Sequence, residues 1–109
     1  MYTVDLHLKN ETVEHAKYNL IQAIQLSRKT KEKVLCLIVG YGSTGGSHKI
    51  KTAILDELES LLIKHQIKDY ILGTDIDIFN VKYQNFKGKE FLDKECFLHK
   101  NPGEIIVVL

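Results

Sequence analysis

A chain of 109 residues with a formal net charge of +1 is long enough for one hydrophobic core, so we expect a single domain over residues 1–109. Hydrophobic residues make up 44% of the chain, and the near-neutral charge excludes a uniformly basic surface of the kind that holds a polyanion. Any nucleic-acid binding must therefore come from a local basic patch and should weaken in salt.

The sequence also predicts where the protein works. No apolar run approaches the ~20 residues that a membrane-spanning helix needs. The first residues lack the basic-then-apolar pattern of a signal peptide, because Asp5 and His7 interrupt it. Cys36 lies in an apolar run and Cys96 in a mixed segment, which favours reduced thiols. We therefore expect a cytoplasmic protein with no membrane contact.

The first third of the chain has the pattern of a strand, a helix and a second strand. Residues 2–7 alternate between polar and apolar, which predicts a short strand with Asp5 and His7 on one face. Thr12 has the chemistry of a helix N-cap. The apolar face of the helix that follows is predicted to consist of Val13, Ala16, Leu20, Ile21 and Ile24.

Residues 34–39 are apolar at every position, which predicts a second strand covered on both faces. A strand, a helix and a strand within ~35 residues form a βαβ unit, whose strands are parallel. If these strands are neighbours, their carboxyl ends meet at one edge of the sheet, where open α/β sheets usually bind ligands.

A glycine-rich segment follows directly at that edge, with the sequence Gly40-Tyr41-Gly42-Ser43-Thr44-Gly45-Gly46-Ser47. Glycine permits unusual backbone angles and close approach of a ligand to the main chain. The amino end of the next helix supplies unpaired N–H groups and a positive dipole, so this corner is predicted to be an anion site. The structural alternative is a tight turn alone. Neither the P-loop spacing nor the dinucleotide-binding spacing is present.

The second helix is predicted from Ser47 to His65, with Lys49 and Lys51 in its first turns. Cations at the amino end of a helix interact unfavourably with its dipole. Two interpretations remain open: an anion docks at the glycine-rich segment and offsets this cost, or the lysines are solvated and the cost is small. The third strand is predicted at residues 69–72 or, alternatively, at residues 76–81. Residues 82–103 fit either a helical turn or a hairpin arm, ending in an Asn-Pro-Gly turn, and residues 104–109 predict a central strand.

Four stretches, namely Asp5-Leu6-His7, residues 12–16, Gly40-Tyr41-Gly42 with residues 50–54, and residues 103–109, together resemble one known family, the Smr (small MutS-related) domain. Asp5-Leu6-His7 resembles the family's opening Asp-Leu-His, and residues 12–16 resemble the Thr-Val-Glu-Glu-Ala that begins its first helix. Gly40-Tyr41-Gly42, with residues 50–54 after it, resembles the family's Gly-Lys-Gly loop and Leu-Arg-Lys-Ala-Val helix start. Residues 103–109 resemble the closing strand.

The resemblance implies an α/β fold of the α+β sandwich type. The expected order is βαβαββ, with a small mixed four-stranded sheet and two helices, as in the carboxyl-terminal domain of a bacterial translation initiation factor. Members of the family act on DNA or RNA as endonucleases or serve in recombination and repair proteins. The resemblance implies that Asp5 and His7 form the catalytic pair, and that Gly40, Gly42 and Lys51 belong to a phosphate-contacting corner.

Phosphodiester cleavage needs a base or a metal to activate water, an acid for the leaving oxygen and positive groups for the phosphate. An imidazole such as His7 titrates near neutrality and suits the acid or base role, while Asp5 could orient it or bind Mg²⁺. Mg²⁺ is the candidate cofactor, although the sequence does not establish that one is needed. The histidines are scattered along the chain, so we predict no zinc site and assign no metal-ligating residues. The phosphate-binding residues are predicted to be Gly40, Tyr41, Gly42, Ser43, Thr44, Gly45, Gly46, Lys49 and Lys51.

Three departures from the family pattern keep alternatives open. Leu8 replaces the usual glycine after Asp-Leu-His, Val39 replaces a frequent histidine, and residues 73–102 are longer than the usual connection. Without the second imidazole, a non-catalytic DNA- or RNA-binding module is the alternative to an endonuclease, and small-molecule phosphate binding is a third reading. We expect a monomer or a weak homodimer.

Overall fold

The computed structural model describes residues 2–6, 11–40, 45–77, 79–88 and 103–109, and four strands in it form one mixed sheet. β1 (Tyr2–Asp5) and β2 (Val34–Ile38) pair in parallel and are joined by α1 (Val13–Lys29), which confirms the predicted βαβ unit. α2 (Gly45–Ile63) then leads to β3 (Asp69–Leu72). The last strand, β4 (Glu104–Val108), lies between β2 and β3 and is antiparallel to both.

The start of α1 follows from its cap. The Thr12 backbone is extended, and its side-chain oxygen accepts a hydrogen bond from the N–H of His15 at 3.2 Å, so the predicted N-cap is confirmed. The buried stripe of α1 includes Ala23, whereas Ile21 is only partly buried, in contrast to the predicted face. At about 100° per residue, position 23 lies about 20° from position 16 and about 60° from position 20 around the helix axis, and so faces the sheet.

Both long helices cover the same face of the sheet. The larger core joins Leu20 of α1 and Ile54 and Leu58 of α2 to the alternate sheet residues Leu35, Leu37, Ile105 and Val107. The opposite face carries Val34, Cys36, Ile106 and Val108, and these residues pack with Ile71, Ile76 and Phe86. β2 is therefore covered on both faces, as its continuous apolar sequence predicts.

The segment after β3 differs from one of the two expectations. A 3-10 turn occupies Gly73–Asp75, and Asn80 caps the short helix α3 (Val81–Gln84), so a strand over residues 76–81 is wrong. Polar side chains produce the alternating pattern there: the Asp77 carboxylate accepts from the N–H of Phe79, and the Asn80 side chain accepts from the N–H of Lys82. Ile78 and residues 89–102, including Cys96 and most of the predicted turn before β4, lie outside the described residues.

Both long helices end in the same backbone motif with a basic residue in the left-handed region. After α1, the N–H of Glu32 donates to Ser27 O, and the N–H of Lys31 donates to Arg28 O. After α2, the N–H of Gln66 donates to Leu61 O, and the N–H of His65 donates to Leu62 O. This is the Schellman pattern, which favours glycine at the left-handed position. Here that position holds Lys31 (φ 63°) and His65 (φ 60°), at a backbone cost of about 1–2 kcal/mol each.

Within the described residues, no helix is long and apolar enough to cross a membrane.

Candidate functional corner

Parallel pairing of β1 and β2 sets Asp5 beside the start of the glycine-rich segment. Asp5 is the register partner of Ile38, and the N–H of Leu6 donates to Ile38 O at 2.8 Å. Gly40 follows two residues after Ile38, and α2 begins at Gly45. Leu6 is fully buried in the core and Asp5 is exposed, so the predicted alternation of faces is confirmed for both residues. We call this end of the sheet the corner.

The structure describes part of the predicted site. Asp5, Gly40 and the first turn of α2, with Gly45 and Gly46, lie toward the same end of the sheet. Lys49 is exposed and Lys51 is half-buried. His7, Tyr41, Gly42, Ser43 and Thr44 lie outside the described residues.

Gly40 has a definite backbone role. Its φ of 79° lies in the left-handed region, and the residue is buried. The N–H of Val39, just before it, donates to Gly103 O at 2.7 Å, which fixes the chain against the residue that precedes β4. The turn interpretation therefore applies to this glycine.

Gly40→Ala is expected to lower the free energy of unfolding by about 1–2 kcal/mol, because a Cβ is disfavoured at this φ. Urea denaturation followed by circular dichroism measures the change. Gly46→Ala is the matched control, since Gly46 lies in the first turn of α2, where alanine is the better helix former and should raise stability slightly. Equal effects from the two substitutions would contradict a left-handed turn at Gly40.

The amino ends of both long helices lie at the corner, because each helix runs back along the strand that precedes it. Their dipoles make this end attractive to anions. The amino end of α1 already has carboxylates that interact favourably with its dipole. Glu14 lies in its first turn, and Glu11, just before the helix, has Oε1 2.6 Å from Nδ1 of His15. The amino end of α2 has no acidic residue in its first turn.

Sequence reasoning missed Glu104. Asp5 pairs with Ile38, and Ile38 pairs with Glu104, so the two carboxylates flank Ile38 on the sheet face opposite the long helices. The Oε2 atom of Glu104 is buried and has no hydrogen-bond partner among the described residues. The antiparallel register of β4 on β2 produces this row, and no sequence signal specifies that register.

The corner is rich in carboxylates. Its described acidic residues are Asp5, Glu11, Glu14, Asp75 and Glu104, whereas its described lysines are Lys49 and Lys51. No group of three or more potential metal ligands exists in the described part of the chain.

Val39, which directly precedes Gly40, is directed into the core. It is 0% exposed and belongs to the cluster beneath the long helices. A side chain at this position has no access to solvent at the corner.

A separate groove lies at the β3 edge of the sheet. Tyr70 donates its hydroxyl to Glu59 Oε2 at 2.7 Å there, with Val81 and Lys82 beside it. Burial and this hydrogen bond raise the pKa of the Tyr70 hydroxyl above its ordinary value. Asp69 accepts from the N–H groups of Tyr70 and Lys87 and so covers the strand edge, which points to a structural role.

Comparison with known proteins identifies no relative: no family model matches the chain, and no curated protein or solved structure matches it.

Proposed function

We propose that this protein is a nucleic-acid-binding Smr-like domain that cleaves phosphodiester bonds at the corner. The observation that carries the proposal is the parallel pairing of β1 and β2. It places Asp5 at the same end of the sheet as Gly40 and the start of α2, and the backbone N–H groups and dipole of a helix amino end favour a phosphate. A carboxylate next to an anion-attracting turn is the arrangement expected of a phosphodiester-cleaving site.

The architecture supports the resemblance on which the proposal also rests. The strands and long helices follow the order βαβαββ, and the four strands form a mixed sheet. This is the arrangement that an Smr-like fold, similar to the carboxyl-terminal domain of a bacterial initiation factor, implies. The short helix α3 and the 3-10 turn occupy the segment in which this chain is longer than the family pattern.

His7 is the proposed acid or base. It follows Leu6, whose side chain is buried, so continued alternation would direct His7 to the same face as Asp5. From there Asp5 could accept an N–H from the imidazole and hold the orientation that proton transfer requires. The amides at the start of α2 would stabilise the charge that develops on the phosphate oxygens.

The carboxylates of Asp5 and Glu104 fit a role in holding Mg²⁺. They lie on the same sheet face, two strand spacings apart, and one Glu104 oxygen is buried without a partner among the described residues. When bound, Mg²⁺ would supply positive charge to the phosphate and lower the pKa of a coordinated water.

A non-catalytic nucleic-acid-binding module is the second candidate. Val39 favours it, because this position lies fully inside the core and supplies no second imidazole. Both candidates predict binding, and only the endonuclease predicts cutting that depends on His7.

The test combines pure protein with end-labelled single-stranded RNA and with supercoiled plasmid at low salt, with and without Mg²⁺. We expect wild type to cut one of these substrates, and His7→Ala to reduce the rate at least about 100-fold while retaining affinity, because a positioned acid–base group contributes about 10²–10⁴-fold.

His15→Gln is the matched control, because it removes an imidazole from the same end of the sheet and places at the third residue of α1 a type that completes a capping box. This variant should cut as wild type does. Binding without cutting, in wild type and variants alike, would replace the endonuclease by the binding module, and absence of both would reject the proposal.

A further inference from the structure

The end of the sheet opposite the corner is strongly basic. Loops and helix ends bring together exposed basic residues there, which we call the basic end: Arg28, Lys29, Lys31, Lys33, Lys64, His65, Lys68 and Lys87. Without His65, these are seven of the eleven lysines and arginines in the described part of the chain. Their described acidic neighbours are Glu32 and Asp69, so the local formal charge is +5.

Contacts between the elements show that these cations share one surface. The Arg28 guanidinium donates to Gln66 O, which joins the end of α1 to the turn after α2. The N–H of Leu109 donates to Lys33 O at 3.0 Å, and the N–H of Lys68 donates to Val108 O at 2.8 Å. A groove of about 470 Å³ is lined by His65, Lys68 and Lys87, together with Leu62, Ile67 and Asp69.

Charge is therefore separated along the strands. The described residues include eleven lysines and arginines and eleven aspartates and glutamates, so the described residues outside the basic end total −5. The corner, with more described carboxylates than lysines, supplies little charge to attract a polyanion. Among the described residues, the basic end is therefore the surface suited to long-range attraction of a polyanion.

Helix dipoles account for only part of this clustering. Arg28 and Lys29 lie in the last turn of α1, where cations are favoured. Lys33, Lys68 and Lys87 lie outside the helices. Lys31 and His65 occupy left-handed positions at which glycine would be less strained, so the chain retains basic side chains at two places against backbone preference.

We propose that the basic end is the surface that holds the nucleic-acid backbone, while the corner acts on it. This inference rests on the proposed function for the identity of the partner. The strand β2 separates the two surfaces, and its five residues span about 17 Å, equivalent to roughly five nucleotide steps of B-DNA. A strand of nucleic acid that is bound at the basic end would therefore reach the corner a few nucleotides away.

An anionic membrane is the other partner that a basic surface can bind. Peripheral membrane proteins add buried apolar area to electrostatic attraction. Ile63, which is 69% exposed, borders the basic end, and three of the six residues that line the groove, Lys68, Asp69 and Lys87, are charged. Charge dominates this surface, which favours a phosphate backbone in water.

The test measures affinity for a fluorescein-labelled 20-nucleotide single-stranded RNA, and for a duplex DNA of the same length, between 50 and 200 mM salt. The triple variant Lys31→Gln, Lys64→Gln, Lys68→Gln should bind at least tenfold more weakly at the lowest salt. Its salt slope on RNA should fall by about two, because each lost phosphate contact removes about 0.7. Lys17→Gln, on the outer part of α1, is the control and should keep the wild-type slope.

Lys31→Gly separates binding from stability. Because glycine relieves the left-handed backbone, the Tm should rise by about 4 °C while the affinity for RNA falls below that of wild type. A variant that is merely damaged would lose stability and affinity together. Equal RNA affinity in Lys31→Gly and wild type would overturn a binding role for this side chain.

The outcomes distinguish this inference from the proposed function. If the triple variant keeps the affinity and salt slope of wild type, the basic end is not the binding surface, even if His7-dependent cutting is found. If the triple variant loses affinity but no form of the protein cuts, the basic end is supported as the binding surface and the endonuclease activity is rejected. Failure of wild type to bind either nucleic acid, or tight binding to vesicles with 30% phosphatidylserine instead, would overturn the inference.

Discussion

Phe86→Ala is expected to lower the free energy of unfolding by about 3–5 kcal/mol, the range found when a buried phenylalanine is truncated. Phe86 is 4% exposed and packs with Ile106 and Val108 on the sheet face opposite the long helices. The packing is close there: a Cβ built on Gly88 would lie 2.5 Å from Val108 Cγ2 and 2.8 Å from the Phe86 ring. Because the neighbouring side chains are closely packed, they have little freedom to move into the space that the ring leaves. Most of the cavity created by Phe86→Ala should therefore remain.

Phe79→Ala is the control for that measurement, because Phe79 belongs to the same segment and is 84% exposed. Its free energy of unfolding, measured in urea, should stay within about 0.5 kcal/mol of wild type. A loss below about 1 kcal/mol for Phe86→Ala would mean that the segment after β3 does not form a second core, and that β2 and β4 are covered on that face in some other way.

Asp5→Asn is expected to reduce cleavage at least about 100-fold and to leave binding to RNA or DNA within a few-fold of wild type. The substitution keeps the shape of an exposed side chain and removes its charge, so the fold should be retained. The proposed roles of Asp5, orienting His7 or holding Mg²⁺ with Glu104, both require the carboxylate.

The dependence on Mg²⁺ separates those two roles. If Asp5 contributes to metal affinity, higher Mg²⁺ should restore part of the rate of Asp5→Asn, and Glu104→Gln should behave in the same way. If Asp5 orients His7, added Mg²⁺ restores nothing. Asp77→Asn, which changes an exposed aspartate whose oxygen accepts from a backbone N–H, should cut as wild type does. Wild-type cleavage by Asp5→Asn would remove Asp5 from the mechanism.

The charge distribution gives the two ends of the protein different roles in the proposal. Carboxylates at the corner suit chemistry with a metal ion and a histidine, and cations at the basic end suit retention of a polyanion. An endonuclease needs both, and a binding module needs only the second. Binding without cutting would therefore support the basic end as the binding surface. The corner would then have only a structural role, as a turn.

Local sequence signals determined the elements whose causes are local. Thr12 predicts the start of α1 because its side chain caps the helix within three residues. The continuous apolar run at 34–39 predicts a strand covered on both faces, and the βαβ spacing predicts its parallel partner, because a right-handed crossover leaves few alternatives. The placement of Asp5 beside Gly40 follows from that pairing alone.

Tertiary structure decided what depends on contacts between distant residues. The pattern at 76–81 alternates like a strand, yet Ile76 and Phe86 are buried through a turn and a short helix, because the face of β2 and β4 behind them needs covering. Glu104 joins the row of Asp5 only through the register of β4 on β2. The basic end forms because the sheet brings the carboxyl ends of α1 and α2 to the same side, where Arg28 meets Gln66, 38 positions away.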